Sequence, residues 1–137
     1  LIDLARPMAV TFHRAFDLCS DAHVALEELI DLGVDYVLTS GQAATAHEGR
    51  DLLRQLVDVA TGRLTVLAGA GNNEQNVGEL VRHSGVQELH FSARSTCHVV
   101  KAVRQVNMGS DANADLVRDE TDPGRVQAIM HAARSVA

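Results

Sequence analysis

The chain has 137 residues, of which 46% are hydrophobic and 22% charged, a balance that is ordinary for one domain with a hydrophobic core and argues against disorder. Its net charge of −6 and pI near 5.5, without a Lys/Arg cluster, argue against nucleic-acid and membrane-surface partners. Cys19 and Cys97 lie outside any C-x-x-C motif, which fits a reducing compartment. No apolar run approaches the ~20 residues that span a bilayer, and no secretory signal pattern begins the chain, so we expect a cytoplasmic protein.

The chain begins without methionine, and residues 1–5 resemble the end of a helix that Pro7 stops. We therefore expect a part of a longer protein. Four apolar stretches follow, with the β-branched and aliphatic residues typical of buried strands. These predicted strands cover residues 9–12, 34–38, 64–67 and 86–91.

A helical pattern follows each of the first three predicted strands. The predicted starts are Ser20 as N-cap of a helix over residues 21–32, the capping box Thr45-x-x-Glu48, and Asn72 or Asn73. The first helix has an apolar stripe of Val24, Leu26, Leu29, Ile30 and Leu32. Gly33, Gly62 and Gly85 are the predicted ends of the three helices.

Repeated β-α units require parallel strands joined by right-handed crossovers, so the predicted class is α/β. The spacing of the closing glycines matches one β-α unit of a (β/α)8 barrel of the TIM type, and four units make half of such a barrel. A freestanding four-stranded flavodoxin-like sheet is the alternative.

The repeat stops after Phe91. Residues 95–121 predict a long excursion, since a loop of this length in a compact domain is usually functional or disordered. Thr121 or Asp122, followed by Pro123, predicts a last helix within residues 122–135. Its inward-facing residues are predicted to be Val126, Ile129 and Met130. We expect residues 1–137 to form a single partial domain.

Polar residues end the predicted strands, and the carboxyl ends of parallel strands meet at one edge. The candidate catalytic residues are His13, Arg14, Asp17 and His90, since imidazole and carboxylate groups are common general acids and bases. The two histidines are alternatively nitrogen ligands of a soft metal. The simpler interpretation is that Arg14 pairs with Asp17 and that both histidines are hydrogen-bonded core residues.

Candidate ligand-binding residues follow the other strand ends: Thr39, Ser40, Gly41, Gly69, Ala70, Gly71, Ser92 and Arg94. Glycines before a helix let free backbone N–H groups approach an anion. In (β/α)8 barrels a phosphate often lies between the loops after the last two strands. Glycine also permits close helix–strand packing, and Thr39 and Ser40 alternatively cap the local backbone.

Four motifs occur in order: V-T-F-H-R-A-F-D, V-L-T-S-G, A-G-A-G before an Asn-bearing helix start, and E-L-H-F-S-A-R-S. Together they closely resemble the carboxyl-terminal half of the CutC copper-homeostasis family, from about Ala9 to the last helix. The resemblance implies strands five to eight of a (β/α)8 barrel in a cytoplasmic, often oligomeric protein linked to copper(I). The family's copper-associated cysteines belong to the amino-terminal strands, and neither Cys19 nor Cys97 matches them.

Three functions are therefore expected. The first is a copper homeostasis protein that binds copper(I). The second is a barrel enzyme acting on a small phosphorylated or anionic metabolite. The candidate residues are of types that suit such an enzyme pocket better than a thiolate copper site. The third is a truncated, inactive half-barrel, whose open apolar edges favour homo-oligomers. The expected partners are thus a small anion or copper and further copies of the chain, with neither nucleic acid nor membrane.

Overall fold

The computed structural model describes residues 1–98 and 117–136. Strands and helices alternate through the first four β segments, and two further strands and a helix follow. The strands are β1 (Thr11–Phe12), β2 (Tyr36–Thr39), β3 (Thr65–Ala68), β4 (Glu88–Leu89), β5 (Arg94–His98) and β6 (Val117–Thr121). The helices are α1 (Ile2–Ala5), α2 (Ala22–Asp31), α3 (Arg50–Ala60), α4 (Val77–Ser84) and α5 (Pro123–Arg134), and a 3₁₀ helix (Arg14–Leu18) precedes α2.

The first four strands form one parallel sheet in the order β1-β2-β3-β4. Val37 of β2 pairs with Phe12 of β1 on one side and with Val66 of β3 on the other. A flavodoxin-like sheet has the order 2-1-3-4-5, so the sequential order departs from that alternative. The predicted α/β class with parallel strands is confirmed, and all four strands end at the same edge of the sheet.

The main hydrophobic core lies where the sheet packs against α2, α3 and α4. Burial alternates along β2 and β3, as expected for strands with one face covered. The helices contribute residues at helical spacing, among them Leu26, Leu29, Leu53, Leu56 and Leu80. This packing fixes the strand ends relative to one another and thereby positions the loops that follow them.

Helix α2 begins one residue later than predicted. Asp21, not Ser20, is its N-cap, because Asp21 Oδ1 accepts from the amides of His23 and Val24 at 3.0 and 3.1 Å. The predicted apolar stripe is also partly wrong. Val24 is 56% exposed and Leu32 is 63% exposed. Both therefore contribute little to the core.

The capping-box hydrogen bonds before α3 form, but they stabilise a turn that precedes the helix. Thr45 N donates to Glu48 Oε2 at 3.1 Å and Glu48 N donates to Thr45 Oγ1 at 3.2 Å. Asn73 likewise caps a turn, since its Oδ1 accepts from the amides of Gln75 and Asn76. Helices α3 and α4 therefore start later than their sequence signals indicate.

Strands β5 and β6 pair antiparallel, so the two ends of the predicted excursion lie side by side. The rest of that segment, residues 99–116, lies outside the described residues. Asp122 caps α5 through the amides of Gly124 and Arg125, as predicted. Ile129 is fully buried, whereas Met130 is 38% exposed, so the prediction that Met130 faces inward is wrong.

Among the described helices, none is long and apolar enough to cross a membrane.

Candidate functional site

Asp17 is the centre of a hydrogen-bond network that joins the ends of β1 and β2. The 3₁₀ helix places its carboxylate against the end of β2, where 7% of the side chain remains exposed. Thr39 Oγ1 donates to Asp17 Oδ1 at 2.5 Å, and the main-chain amides of Ser40 and Gln42 donate at 3.1 and 3.2 Å. Burial alone raises the pKa of Asp17. Hydrogen bonds from the Thr39 hydroxyl, the Arg14 guanidinium and the two amides outweigh burial and hold the pKa below its ordinary value.

This network also orients Arg14. Its Nε donates to Asp17 Oδ2 at 2.7 Å, and its Nη2 donates to Ser40 Oγ at 2.8 Å. Ser40 Oγ in turn donates to the Ala43 carbonyl at 2.7 Å. The guanidinium is therefore held in one orientation although 44% of the side chain is exposed. Its remaining N–H groups make no hydrogen bond to the described residues.

A pocket of about 270 Å³ lies at the carboxyl ends of the strands. Its lining consists of Arg14, Leu38, Ala70, Gly71, Asn72, His90, Phe91 and Ser92. These residues come from the segments that follow β1, β3 and β4 and from the end of β2. The lining contains one guanidinium and no carboxylate, but Arg14 is paired with the Asp17 carboxylate at 2.7 Å. What the lining offers an anion is therefore N–H donors and not a net positive charge.

The loop after β3 turns its backbone sharply at the pocket. The φ angles are +85° at Ala70 and +71° at Gly71. A Cβ on Gly71 would lie 2.8 Å from Thr45 Cγ2, so a side chain at this position would force Thr45 to shift. Within the described part of the chain, the main-chain N–H groups of Ala70, Gly71 and Asn72 donate no hydrogen bond. They are available to a ligand.

Asn72 ties this loop to the end of β4. Its Nδ2 donates to the carbonyls of Ala68 and His90 at 2.9 and 3.0 Å, and the residue is 9% exposed. Its Oδ1 is buried and has no hydrogen-bond partner among the described residues. The sequence assigned Asn72 only a capping role. Its position directly after A-G-A-G was the one signal for a pocket residue.

The two candidate histidines are in different surroundings. His90 is exposed and lines the pocket, and Gly69 lies against it, since a Cβ on Gly69 would be 3.4 Å from His90 Cβ. His13 caps the 3₁₀ helix, because its Nδ1 accepts from the Ala15 amide at 3.0 Å. His13 does not line the pocket. His13 and His90 are both exposed, so neither is a buried core histidine.

The other predicted ligand-binding residues lie around the pocket without lining it. Thr39 and Ser40 are fully buried, and the adjacent Gly41 is also buried. Thr39 and Ser40 donate hydrogen bonds to Asp17, and Ser40 Oγ also accepts from Arg14, which lines the pocket. Arg94 begins β5, where its carbonyl accepts a hydrogen bond from Arg125. Its side chain is not part of the lining.

The two cysteines offer no assembled metal site. Both are half-buried free thiols, and Cys19 Sγ accepts from Gln42 Nε2 at 3.3 Å. Over residues 1–98 and 117–136, no group of three or more His, Cys, Asp or Glu residues could hold a metal ion.

Fold and pocket together define a parallel α/β protein with a polar pocket at the carboxyl ends of its strands. The chain belongs to the CutC family, whose family model matches residues 1–95. The resemblance predicted from the motifs is confirmed.

Individual relatives agree. A CutC family protein of Bacteroides fragilis is 53% identical over 96 residues, covering 70% of this chain and 38% of that protein. One from Histophilus somni is 49% identical over 130 residues, covering 94% and 54%. The crystal structure of CutC from Streptococcus agalactiae, provisionally named a copper homeostasis protein, matches with a TM-score of 0.61 at 26% identity, covering 66% and 45%. The chain thus spans about half the length of these relatives, or less.

Proposed function

We propose that the pocket binds a small anionic metabolite, with a phosphate group as the part that is recognised. The observation that carries this proposal is the combination of an oriented Arg14 with unbonded main-chain N–H groups at residues 70–72 around one pocket. Charge-assisted hydrogen bonds from a preset guanidinium and from backbone amides are the usual means of holding phosphate. Because Asp17 and Ser40 already fix Arg14, little side-chain entropy is lost when the anion binds.

If the bound anion is also transformed, His90 is the lining residue whose side chain can act as a proton donor or acceptor. The lining residues include two titratable side chains, Arg14 and His90, and an arginine stays protonated in proteins. We therefore propose His90 as general acid or base, with Arg14 holding the substrate. With this assignment, the chain is part of an enzyme that acts on an anionic metabolite.

The test measures the midpoint of thermal unfolding with and without inorganic phosphate. Phosphate should raise the midpoint for the wild type, and Arg14→Ala should weaken binding by about tenfold or more, the loss expected for one charge-assisted contact. Arg94→Ala is the matched control, because Arg94 also follows a strand end but lies outside the lining. Equal protection of Arg14→Ala and the wild type would contradict the proposal.

Copper handling is the second candidate, and it is supported by membership of the CutC family and by the provisional name of the Streptococcus agalactiae relative. Copper(I) is then the cargo. The test titrates copper(I) against a chelator for the wild type and for Cys19→Ser/Cys97→Ser. Stoichiometric uptake that the double variant loses would support a thiol-dependent role. Absence of uptake by the wild type would exclude these two cysteines as the copper ligands.

We further propose that the four parallel strands correspond to strands five to eight of a (β/α)8 barrel in a cytoplasmic protein. The sequential strand order supports this placement. Self-association is also expected, because Leu1 and Leu32 are strongly exposed near the edge strand β1. Sedimentation velocity over a range of concentrations measures it, and a monomer at every concentration would contradict it.

A further inference from the structure

Asn76 directly precedes α4, but its side chain does not cap that helix. Asparagine in this position normally accepts a hydrogen bond from the amide of the second or third helical residue. The Asn76 side chain instead bonds to the loop after β3. Its Nδ2 donates to the Gly71 carbonyl at 2.9 Å, and its Oδ1 accepts from the Asn73 amide at 2.9 Å. Asn76 therefore forgoes a cap and holds the two peptide units on either side of Asn72.

The bond to Gly71 sets the direction of one main-chain N–H group. A trans peptide unit is planar, so its C=O and N–H bonds point in opposite directions. The carbonyl oxygen between Gly71 and Asn72 faces Asn76, with a longer bond of 3.3 Å from Asn73 Nδ2. The N–H of Asn72 therefore points away from Asn76. Gly71 and Asn72 line the pocket, whereas Asn73 and Asn76 lie outside the lining.

The preceding peptide unit is held by a different partner. The Ala70 carbonyl accepts from the Ala46 amide at 3.0 Å, which by the same geometry directs the N–H of Gly71 away from Ala46. Ala46 is fully buried in the segment between β2 and α3, and it too lies outside the lining. Two neighbouring N–H groups of the loop are thus oriented by separate contacts, and a substitution can disturb one without the other.

We propose that Asn76 is a positioning residue of the anion site, which directs the Asn72 N–H towards the bound anion without touching the anion itself. This inference rests on the proposed function, since it concerns the preparation of the same pocket. Exchanging the side-chain oxygen and nitrogen would set acceptor against acceptor at Gly71 and donor against donor at Asn73, so both bonds require the observed orientation. An N–H group that is already held loses little entropy when the anion binds.

The test replaces Asn76 with serine. Serine suits an N-cap as well as asparagine does, so Asn76→Ser keeps a residue that can cap α4, but its side chain is too short to reach the Gly71 carbonyl. The dissociation constant of inorganic phosphate should rise about fivefold, the loss of one hydrogen bond of ordinary strength. Gln75→Ser is the matched control and should bind phosphate like the wild type. Gln75 is exposed, and its side chain makes no hydrogen bond to the described residues.

Amide proton chemical shifts distinguish positioning from a general loosening of the loop. In the wild type, phosphate should move the amide proton signals of Gly71 and Asn72 downfield. In Asn76→Ser, the change at Asn72 should become smaller. The change at Gly71 should remain, because Ala46 still holds the preceding peptide. An undiminished change at Asn72, or the loss of both changes, overturns the inference.

Weaker phosphate binding by Asn76→Ser, with the selective effect at Asn72 and a silent Gln75→Ser, supports the inference. Unchanged affinity of Asn76→Ser overturns it and leaves the proposed anion site standing. Failure of the wild type to bind phosphate overturns the proposed function and this inference with it. Should Asn76→Ser not fold, the wild-type spectrum decides: a downfield change at Asn72 supports the inference, and no change overturns it.

Discussion

The Asp17 network makes one substitution especially informative. Asp17→Asn keeps the size of the side chain and removes its charge. One carboxylate oxygen becomes an N–H₂ group. If it replaces Oδ2, it faces the Arg14 guanidinium. If it replaces Oδ1, it faces the Thr39 hydroxyl and the amides of Ser40 and Gln42. A donor facing a donor cannot form a hydrogen bond, so the substitution breaks the network in either orientation.

The size of the effect follows from the number and type of bonds lost. A hydrogen bond to a charged group contributes about 1.5–3 kcal/mol, and a buried donor left unpaired costs about 1–3 kcal/mol. Since the side chain is 7% exposed, solvent cannot replace the missing partners. We expect the free energy of unfolding to fall by about 3 kcal/mol, and the unfolding midpoint by about 10 °C for a chain of this length.

Urea unfolding of the wild type and Asp17→Asn at neutral pH measures this difference. Asp58→Asn is the matched control, because Asp58 is 71% exposed and lies 3.9 Å from Arg54. Such a surface pair contributes about 0.5 kcal/mol or less. A loss for Asp17→Asn no greater than that of Asp58→Asn would refute the reasoning.

The same network predicts a pH dependence. The pKa of Asp17 in the folded chain is lowered from its ordinary value of 3.8, so its ionisation contributes stability above that value. The contribution is lost as the pH falls from there through the folded pKa. Asp17→Asn should therefore unfold with a shallower dependence on pH in this acid range. Parallel curves for the two proteins would contradict the assignment.

Two further pairs of variants test the backbone and the core by the same unfolding measurement. Gly71→Ala should destabilise by about 2 kcal/mol, because a methyl group at positive φ would also contact Thr45. Gly62→Ala, at φ +75° in open space, should lose about 1 kcal/mol, and equal losses would remove the steric argument. Ile129→Ala should lose about 3 kcal/mol from a fully buried site. Met130→Ala should lose about 1 kcal/mol or less, and a larger loss than at Ile129 would contradict the observed packing.

Local sequence signals predicted helix starts correctly where the hydrogen-bonded residues are only a few positions apart in the sequence. The Asp122–Pro123 start of α5 was found in this way, since a cap joins residues two or three positions apart. The same signals misplaced a helix start by one residue where two adjacent residues can both act as the N-cap. Ser20 and Asp21 both suit an N-cap, and in the structure Asp21 occupies this position.

The candidate site was predicted at the level of strand ends but not of single side chains. Arg14, Gly71 and His90 line the pocket as expected for residues that follow parallel strands. Nothing near His13 in the sequence indicates that its ring caps the 3₁₀ helix instead. Likewise, the bonds of Asn72 depend on where the end of β4 lies, 18 residues further along the chain.

The sequence by itself determined the alternation of strands and helices, the α/β class and the family, because periodicity, caps and motifs act over a few residues. Only the tertiary structure decided which polar residues face the pocket and which support it. The parallel register sets Asp17 beside Thr39 and Ser40, more than 20 positions away. Such bonds form only when the strands pair, and they turn a set of strand-end residues into one oriented site.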